Sequence, residues 1–320
     1  MLPTLLLLAA LAVATGAAQA EPVLLFEERF EDTDWAARGW YDGPHMEITD
    51  QEHLPGSGHA CVWRWEKAGD VIPRGGGARA KLTPVDDVVL EYHIKHAADW
   101  TWTGVPWHPH EFHFVTTADS PYVGPAYTHL TFYVEAVNGV PRVAIQDGRN
   151  VDEAHVGENL VGITEARSVA GCNGDADGHG NGDCYRSGEV HVNGKFWEPG
   201  EVYFGEQAGP RYKGDWHQVR ARLRLNSVVD GVGRADGVIQ YWFDGRLIID
   251  HRDVVFRTGA NAEMLIDQFL MTPYFGPGVP HPQTIWIDDL RIWAGPGPDA
   301  NATAIPGSDS TWGQVKEQTH

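Results

Sequence analysis

Arginine recurs at three alternate positions of one predicted strand. Residues 216–226 read WHQVRARLRLN. Because successive side chains of a β-strand point to opposite faces, Arg220, Arg222, Arg224 and Asn226 share one face, and the other face is apolar. Three guanidinium groups and an amide in one ladder predict a surface that binds an anion.

Four more predicted strands each carry one apolar and one chemically rich face. The rich faces hold Gln240, Trp242 and Asp244; Tyr127, His129, Thr131, Tyr133 and Glu135; Glu91, His93 and Lys95; and Glu111 and His113. The whole chain has 24 Lys and Arg against 44 Asp and Glu, a net charge of −20, so a local excess of cations is informative. We predict a cationic cleft for an anionic ligand. The alternative is a solvated face on which Arg pairs with Asp or Glu across strands.

Aromatic side chains are concentrated in proline-containing loops. Trp100, Trp102, Trp107 and Tyr122 lie in such segments. Sugar rings stack on aromatic faces through their apolar side, so a carbohydrate groove is one use for them, and capping of the core is the other.

The elements that must position these residues are predicted to be strands. The chain has 320 residues, of which 42% are hydrophobic and 21% charged, with 37 Gly and 20 Pro; this is typical of a globular protein rich in turns. Alternating runs occur at 23–30, 88–96, 111–116, 128–136, 142–146, 216–226, 237–243, 246–249 and 284–293. Asn138-Gly139 and Asp244-Gly245 are predicted hairpin turns, so we expect an antiparallel sandwich. The acidity argues against a general nucleic-acid binder.

Both ends of the chain differ from the predicted domain. Met1–Ala20 has a short apolar run and ends in Ala18-Gln19-Ala20, which predicts a signal peptide; an uncleaved membrane anchor is the alternative. We expect a secreted protein, extracellular or periplasmic, with no membrane span after cleavage. Residues 21–294 are the predicted domain, and 295–320 are a flexible Gly/Pro/Ser-rich tail.

The three cysteines receive different predictions. Cys172 and Cys184 bracket a Gly/Asp-rich loop and are predicted to form a disulfide in an oxidising compartment. Cys61 lies in an apolar run and is expected to be a buried free thiol.

A metal site is predicted between the two paired cysteines. Asn173, Asp175 and Asp177, followed by Gly178, imitate the start of an EF-hand loop and suit Ca²⁺; a polar loop closed by the disulfide is the alternative, because the closing Glu is missing. His108, His110 and His113 are a weaker zinc pattern, since Pro109 makes the direction of the first two unpredictable.

Several segments together resemble the concanavalin A-like jelly-roll polysaccharide lyases of the alginate and glucuronan type. They are Gly214–His217, Arg222–Asn226, Asp236–Val238, Trp242, Asp244-Gly245, Val254–Thr258, Ile285–Leu290, and Phe26–Phe30 with Trp35. The resemblance implies an all-β fold, a two-sheet antiparallel jelly-roll sandwich.

The resemblance also implies roles for residues of a concave sheet that binds a uronate chain. Arg222 and Arg224 would neutralise the substrate carboxylate, and Tyr133 and His129 would be the acid and base, with Lys95 and His113 as second choices. Substrate binding would extend over Arg220, Arg224, Asn226, Gln240 and Trp242. A structural Ca²⁺ would be held by Asp288 with Glu28 or Glu31.

The resemblance has limits that keep other functions open. The Gln-Ile-His and Tyr-Phe-Lys-Ala-Gly motifs of common alginate lyases are absent, as is the Glu-x-Asp-x-x-Glu motif of jelly-roll glucanases. The leading hypothesis is a monomeric lyase acting on an acidic polysaccharide by β-elimination. A non-catalytic, calcium-stabilised carbohydrate-binding protein is the alternative, and a glycoside hydrolase is the third possibility.

Overall fold

The structure is a computed structural model that describes residues 22–105, 110–116, 130–147, 186–187, 190–191, 195–254, 256–257 and 262–298. It confirms the predicted jelly-roll sandwich: two antiparallel sheets pack face to face. The signal segment, the tail beyond residue 298, Trp107, Tyr122 and the predicted disulfide lie outside the described residues.

Nineteen strands and one short 3₁₀-helix, Ala36–Arg38, make up the regular structure of the described residues. The strands are β1 (Val23–Glu28), β2 (Trp40–Tyr41), β3 (Glu47–Thr49), β4 (Ala60–Trp65), β5 (Ala78–Val85), β6 (Asp87–His96), β7 (His110–Val115), β8 (Leu130–Val137), β9 (Val140–Asp147), β10 (Arg186–Ser187), β11 (Val190–His191), β12 (Lys195–Trp197), β13 (His217–Arg224), β14 (Val228–Val229), β15 (Val232–Gly233), β16 (Gly237–Phe243), β17 (Arg246–Val254), β18 (Ile266–Tyr274) and β19 (Gln283–Ala294).

The order of strands in each sheet departs strongly from the order in the chain. The eight-stranded sheet runs β17-β16-β13-β6-β19-β4-β3, with β1 also paired to β19. The seven-stranded sheet runs β12-β9-β8-β7-β18-β5-β2. Long-range pairings such as β6 with β19 and β5 with β18 therefore bring together residues that lie far apart in the sequence. Within the described residues, no helix has the length and apolar character needed to cross a membrane.

Both predicted hairpin turns are confirmed. Asn138 and Gly139 join β8 to β9 with φ of 53° and 79°, and Asp244 and Gly245 join β16 to β17 with φ of 48° and 75°. Positive φ at both central residues matches the right-handed twist of the flanking strands, and Gly adopts it without steric cost.

The core lies between the two sheets and is built from the apolar face of each strand. Trp63 of β4 and Tyr92 of β6 contact Phe112 of β7, with ring centroids 5.6 Å and 4.3 Å apart, so aromatic pairs join the sheets directly. Trp100 is 1% exposed and caps this core rather than lining an open groove. Cys61 is buried in the same core, and burial raises the pKa of its thiol, so the expectation of an inert free thiol is confirmed.

The loop after β17 is held by one buried amide. The side-chain oxygen of Asn226 accepts hydrogen bonds from the backbone N–H groups of Phe256 at 2.7 Å and Arg257 at 2.9 Å. Its Nδ2 donates to the carbonyl oxygens of Arg257 at 2.9 Å and of Ser227 at 3.0 Å. All four of these hydrogen bonds join the Asn226 amide to backbone groups, so this amide has a structural role.

Replacing this amide should destabilise the fold. Asn226→Ala leaves two buried N–H groups without acceptors, and we expect the free energy of unfolding to fall by about 3 kcal/mol, measured by chemical denaturation. Unfolding of Asn226→Ala at the same denaturant concentration as the wild type would contradict this role.

Candidate active site

The arginine ladder of β13 lies on the outer face of the eight-stranded sheet, where its members bind groups of the protein itself. Arg222 forms a bidentate ion pair with Asp87, from Nε to Oδ1 at 3.0 Å and from Nη2 to Oδ2 at 2.7 Å. Arg224 donates to the carbonyl oxygen of Asp236 at 2.6 Å. Arg220 is nearly buried, packs over Trp242 at 5.3 Å and donates to the carbonyl oxygen of Pro296 at 2.8 Å.

Gln240 and Lys95 on the same face are paired in the same way. Gln240 donates to Oδ1 of Asp250 at 3.0 Å, and Nζ of Lys95 lies 2.8 Å from Oε1 of Glu52. The polar side chains of this face therefore bind acids and carbonyl oxygens of the protein itself, which agrees with the alternative interpretation of the sequence.

Tyr133 and His113 lie on the opposite side of the molecule, on the outer face of the seven-stranded sheet. They occupy paired positions on β8 and β7. Because the core separates the two outer faces, Tyr133 and His113 cannot act on the same sugar as Arg222, Arg224 or Lys95. The predicted site residues therefore lie on two separate faces. This corrects the prediction that Arg222 and Arg224 act together with Tyr133 on one substrate. His129 lies outside the described residues.

The strand register places a row of functional side chains across the seven-stranded sheet. Tyr41 pairs with Arg79, Arg79 with Leu270, Leu270 with His113, and His113 with Tyr133. We call these five residues the outer row. Because paired strands lie about 4.8 Å apart, an extended ligand that crosses the strands would meet these side chains in sequence.

A second row lies beside the first and adds polar groups. Lys81 pairs with Gln268, Gln268 with Val115, and Val115 with Thr131. Oε1 of Gln268 accepts a hydrogen bond from the Tyr41 hydroxyl at 2.6 Å, which joins the two rows.

The polar side chains of the two rows are largely removed from water, although they lie on the outer face of the sheet. Arg79, His113, Thr131, Tyr133 and Gln268 are all buried, whereas Lys81 is exposed. Nη2 of Arg79 lies 3.3 Å from Oδ2 of Asp42. In such a low-dielectric environment a guanidinium group interacts strongly with an anion.

The aromatic and imidazole rings beside Tyr133 form one cluster. The ring centroid of Tyr133 lies 4.4 Å from that of His110 and 4.7 Å from that of His113. Nδ1 of His113 contacts Oγ1 of Thr272 at 3.0 Å. Burial, and next the neighbouring His110, lower the pKa of His113 well below its usual value, so this imidazole is neutral at neutral pH.

Arg79, Lys81 and Gln268 are absent from the predicted site residues, because the sequence pattern does not predict β5 or β18. A signal was present: residues 78–82 read ARAKL, and 267–272 read DQFLMT, both with alternating character. Alanine as the inward residue of β5 weakens this signal, since Ala is depleted in strands.

The three carboxylates implied as calcium ligands are only partly brought together. Oε1 of Glu28 accepts from the Phe30 N–H, and Oε2 accepts from Nε of Arg38 and Nε1 of Trp40, each at 2.7 Å. Glu28 is buried in this network and does not fit a metal shell, which corrects its assignment.

Glu31 and Asp288 meet at the hydroxyl of Ser57. Ser57 Oγ lies 3.0 Å from Oε1 of Glu31, 3.3 Å from Oδ1 of Asp288 and 2.9 Å from the His59 carbonyl oxygen. These are oxygen donors of the type that Ca²⁺ prefers. The described residues contain no group of three or more His, Cys, Asp and Glu side chains that could hold a metal, and Asn173, Asp175 and Asp177 lie outside them. Calcium stays a prediction.

Calcium should matter most above pH 6 if Glu31 and Asp288 bind it. Burial raises the pKa of Asp288 to about 6, so the folded state binds this proton more tightly than the unfolded chain. Protonated Asp288 contributes on the order of 3 kcal/mol to the free energy of unfolding at low pH. This contribution is lost as the pH rises from about 4 to above 6. A bound cation would offset that loss.

We expect Ca²⁺ to raise the melting temperature at pH 8 more than at pH 5. Glu31→Gln should abolish the increase in melting temperature, and Glu27→Gln on the same segment should retain it. Asp175→Asn tests the separate calcium site predicted at Asn173, Asp175 and Asp177. Equal melting temperatures of the wild type in Ca²⁺ and in chelator at pH 8 would contradict both calcium predictions.

Comparisons with known proteins bear on the fold. No family model matches the chain, and no curated protein matches it. Among solved structures, the marine PL-14 alginate lyase from Aplysia kurodai has 12% identity and a TM-score of 0.52 over 87% of this chain and 100% of that chain. An alginate lyase from Chlorella virus has 12% identity and a TM-score of 0.48 over 79% and 92%.

The endo-beta-1,4-glucuronan lyase from the fungus Trichoderma reesei has 10% identity and a TM-score of 0.39 over 80% of this chain and 94% of that chain. At these identities the likeness to the Aplysia enzyme concerns the fold alone. The resemblance to the jelly-roll lyases is confirmed at that level.

Proposed function

We propose that the protein is a secreted polysaccharide lyase that cleaves a uronate-containing polysaccharide by β-elimination. The observation that carries this proposal is the outer row, in which Arg79, His113 and Tyr133 lie at one level across adjacent strands of the seven-stranded sheet. The lyase fold of the solved structures supports it, as does the apolar segment predicted to be an export signal.

β-Elimination on a uronate has three chemical requirements. The carboxylate must be neutralised so that the C5 proton becomes acidic, a base must remove that proton, and an acid must protonate the leaving O4. Tyr133 can serve as base and then as acid, because its phenolate oxygen can take up the C5 proton and the resulting hydroxyl can deliver that proton to O4. His129, which precedes β8, remains a further acid/base candidate.

Carboxylate binding on this face is assigned to Arg79, Lys81 and Gln268 instead of the β13 arginines. The two cations lie on β5, and the amide lies on β18 between β5 and the cluster around Tyr133. His113 is neutral and held by Thr272, so it acts in this proposal as a hydrogen-bonding group and not as a cation.

The first test is product formation. Mature protein beginning at Glu21 is incubated with alginate, glucuronan, pectate and glycosaminoglycans, and ultraviolet absorbance of the unsaturated uronate is followed. We expect one polymer to be cleaved and Tyr133→Phe to lower kcat by about 1000-fold while retaining binding. Tyr241→Phe, in the core, is the matched control and should remain active.

Other outcomes identify the alternatives. Retardation in a gel containing one of these polymers, without absorbance, would indicate a carbohydrate-binding protein. New reducing ends without absorbance would indicate a hydrolase. Either result would contradict the lyase proposal.

The same substitution on the two outer faces tests which face binds substrate. Arg79→Gln removes a charged donor from the outer row, and we expect KM to rise by about 30-fold. Arg222→Gln removes a guanidinium group that pairs with Asp87 on the opposite face, and KM should be unchanged. If KM rose for Arg222→Gln and not for Arg79→Gln, the substrate-binding site would instead be assigned to the eight-stranded sheet.

A further inference from the structure

The first residue of β7, His110, is held between an acid and the tyrosine of the proposed site. Nδ1 of His110 lies 2.8 Å from Oε2 of Glu135, and its ring lies 4.4 Å from that of Tyr133 at an interplanar angle of 34°. The ring of Tyr274 also faces that of His110, with the ring centroids 6.3 Å apart and an interplanar angle of 20°. His110 retains 17% side-chain exposure, whereas Glu135 retains 3%.

A second buried acid, Glu111, lies beside the pair of His110 and Glu135. Glu111 is 2% exposed, and one of its carboxyl oxygens, Oε1, has no hydrogen-bond partner among the described residues. Burial, and next the Glu135 carboxylate, raise the pKa of Glu111 well above its usual value. Two carboxylates in one desolvated patch do not both ionise readily. Glu111 therefore favours its protonated form, and the acid that faces His110 is Glu135.

Among the described residues, two titratable neighbours of this pair also bind other groups. Arg142, the register partner of Glu135 on β9, donates to Oε2 of Glu198 from Nε at 3.2 Å and Nη2 at 3.0 Å. His113 on β7 is neutral, and its Nδ1 contacts Thr272. The ion pair of His110 with Glu135 adjoins the Tyr133 ring.

We propose that Glu135 holds His110 as an imidazolium against the ring of Tyr133, and that this pair positions Tyr133 and favours its phenolate form. The inference rests on the proposed lyase function. The phenolate takes the C5 proton, C4=C5 forms as the C4–O4 bond breaks, and the same proton passes from the Tyr133 hydroxyl to the leaving O4. His110 acts through Tyr133 and is a positioning residue, and Glu135 acts through His110.

The pH profile of kcat separates this role from a purely structural one. Loss of the imidazolium should make kcat fall at high pH, the alkaline limb of the profile. Glu135→Gln removes the stabilising charge, and we expect the pH at which this fall occurs to decrease by about one unit. Glu111→Gln is the matched control: it replaces an acid that is already neutral, so the limb should not move. A Glu135→Gln profile that superimposes on the wild-type profile would overturn the proposal.

A second pair of variants examines the imidazole itself. His110→Phe keeps a flat ring on Tyr133 without charge, and we expect kcat to fall by about 100-fold with KM within twofold of the wild-type value. Glu135→Asp, which restores a carboxylate, should recover activity relative to Glu135→Gln. Full activity of His110→Phe would overturn the proposal.

An NMR titration distinguishes failure of this inference from failure of the lyase proposal. The His110 ring signal, identified by its loss in His110→Phe, is followed against pH in the wild type, Glu135→Gln and Glu111→Gln. A midpoint lowered by about one unit in Glu135→Gln alone supports the pair even if no polymer is cleaved. Identical midpoints in all three proteins would overturn the pair even if the wild type is a lyase.

Discussion

Burial of two apolar sheet faces against each other is the constraint on which the rest of this structure depends. The inward side chains of β4, β6, β7 and β8 form one continuous core, with Trp63 and Tyr92 of one sheet against Phe112 of the other. Side chains alternate along a strand, so burying one face of each sheet commits every second residue to an outer face. The chemistry of the protein is therefore distributed over two surfaces that the core keeps apart.

The two outer faces carry similar residue types in different arrangements. On the eight-stranded sheet, Arg222 forms an ion pair with Asp87 and Gln240 donates a hydrogen bond to Asp250, so polar side chains on neighbouring strands bind one another. On the seven-stranded sheet, Arg79 is separated from Tyr133 by two strands, and the intervening positions hold Leu270 and neutral His113. A guanidinium group, an imidazole and a phenol are thus spaced along a line across adjacent strands.

Desolvation shapes the behaviour of the titratable groups around Tyr133. Burial lowers the pKa of His113 and raises that of Glu111, so both groups are neutral near pH 7. His110 and Glu135 lie 2.8 Å apart beside the ring of Tyr133. In the proposed arrangement this pair acts on that single phenol.

The sequence alone determined the features that depend on near neighbours in the chain. Alternation along β13 and β8 predicted which residues share a face, Asn138-Gly139 and Asp244-Gly245 predicted hairpins, and the apolar surroundings of Cys61 predicted its burial. Each of these follows from the two-residue period of a strand or from the φ values that a turn requires.

Only the tertiary structure decided which faces lie together. Arg79 reaches the level of His113 and Tyr133 because β18, almost 190 residues later in the chain, pairs with both β5 and β7. Strand order of this kind is set by long-range burial and hydrogen bonding, which leave no local pattern in the sequence. For the same reason, Arg222 and Tyr133 could both be identified as chemically suited to a uronate, while their separation by the core could not be predicted from either strand.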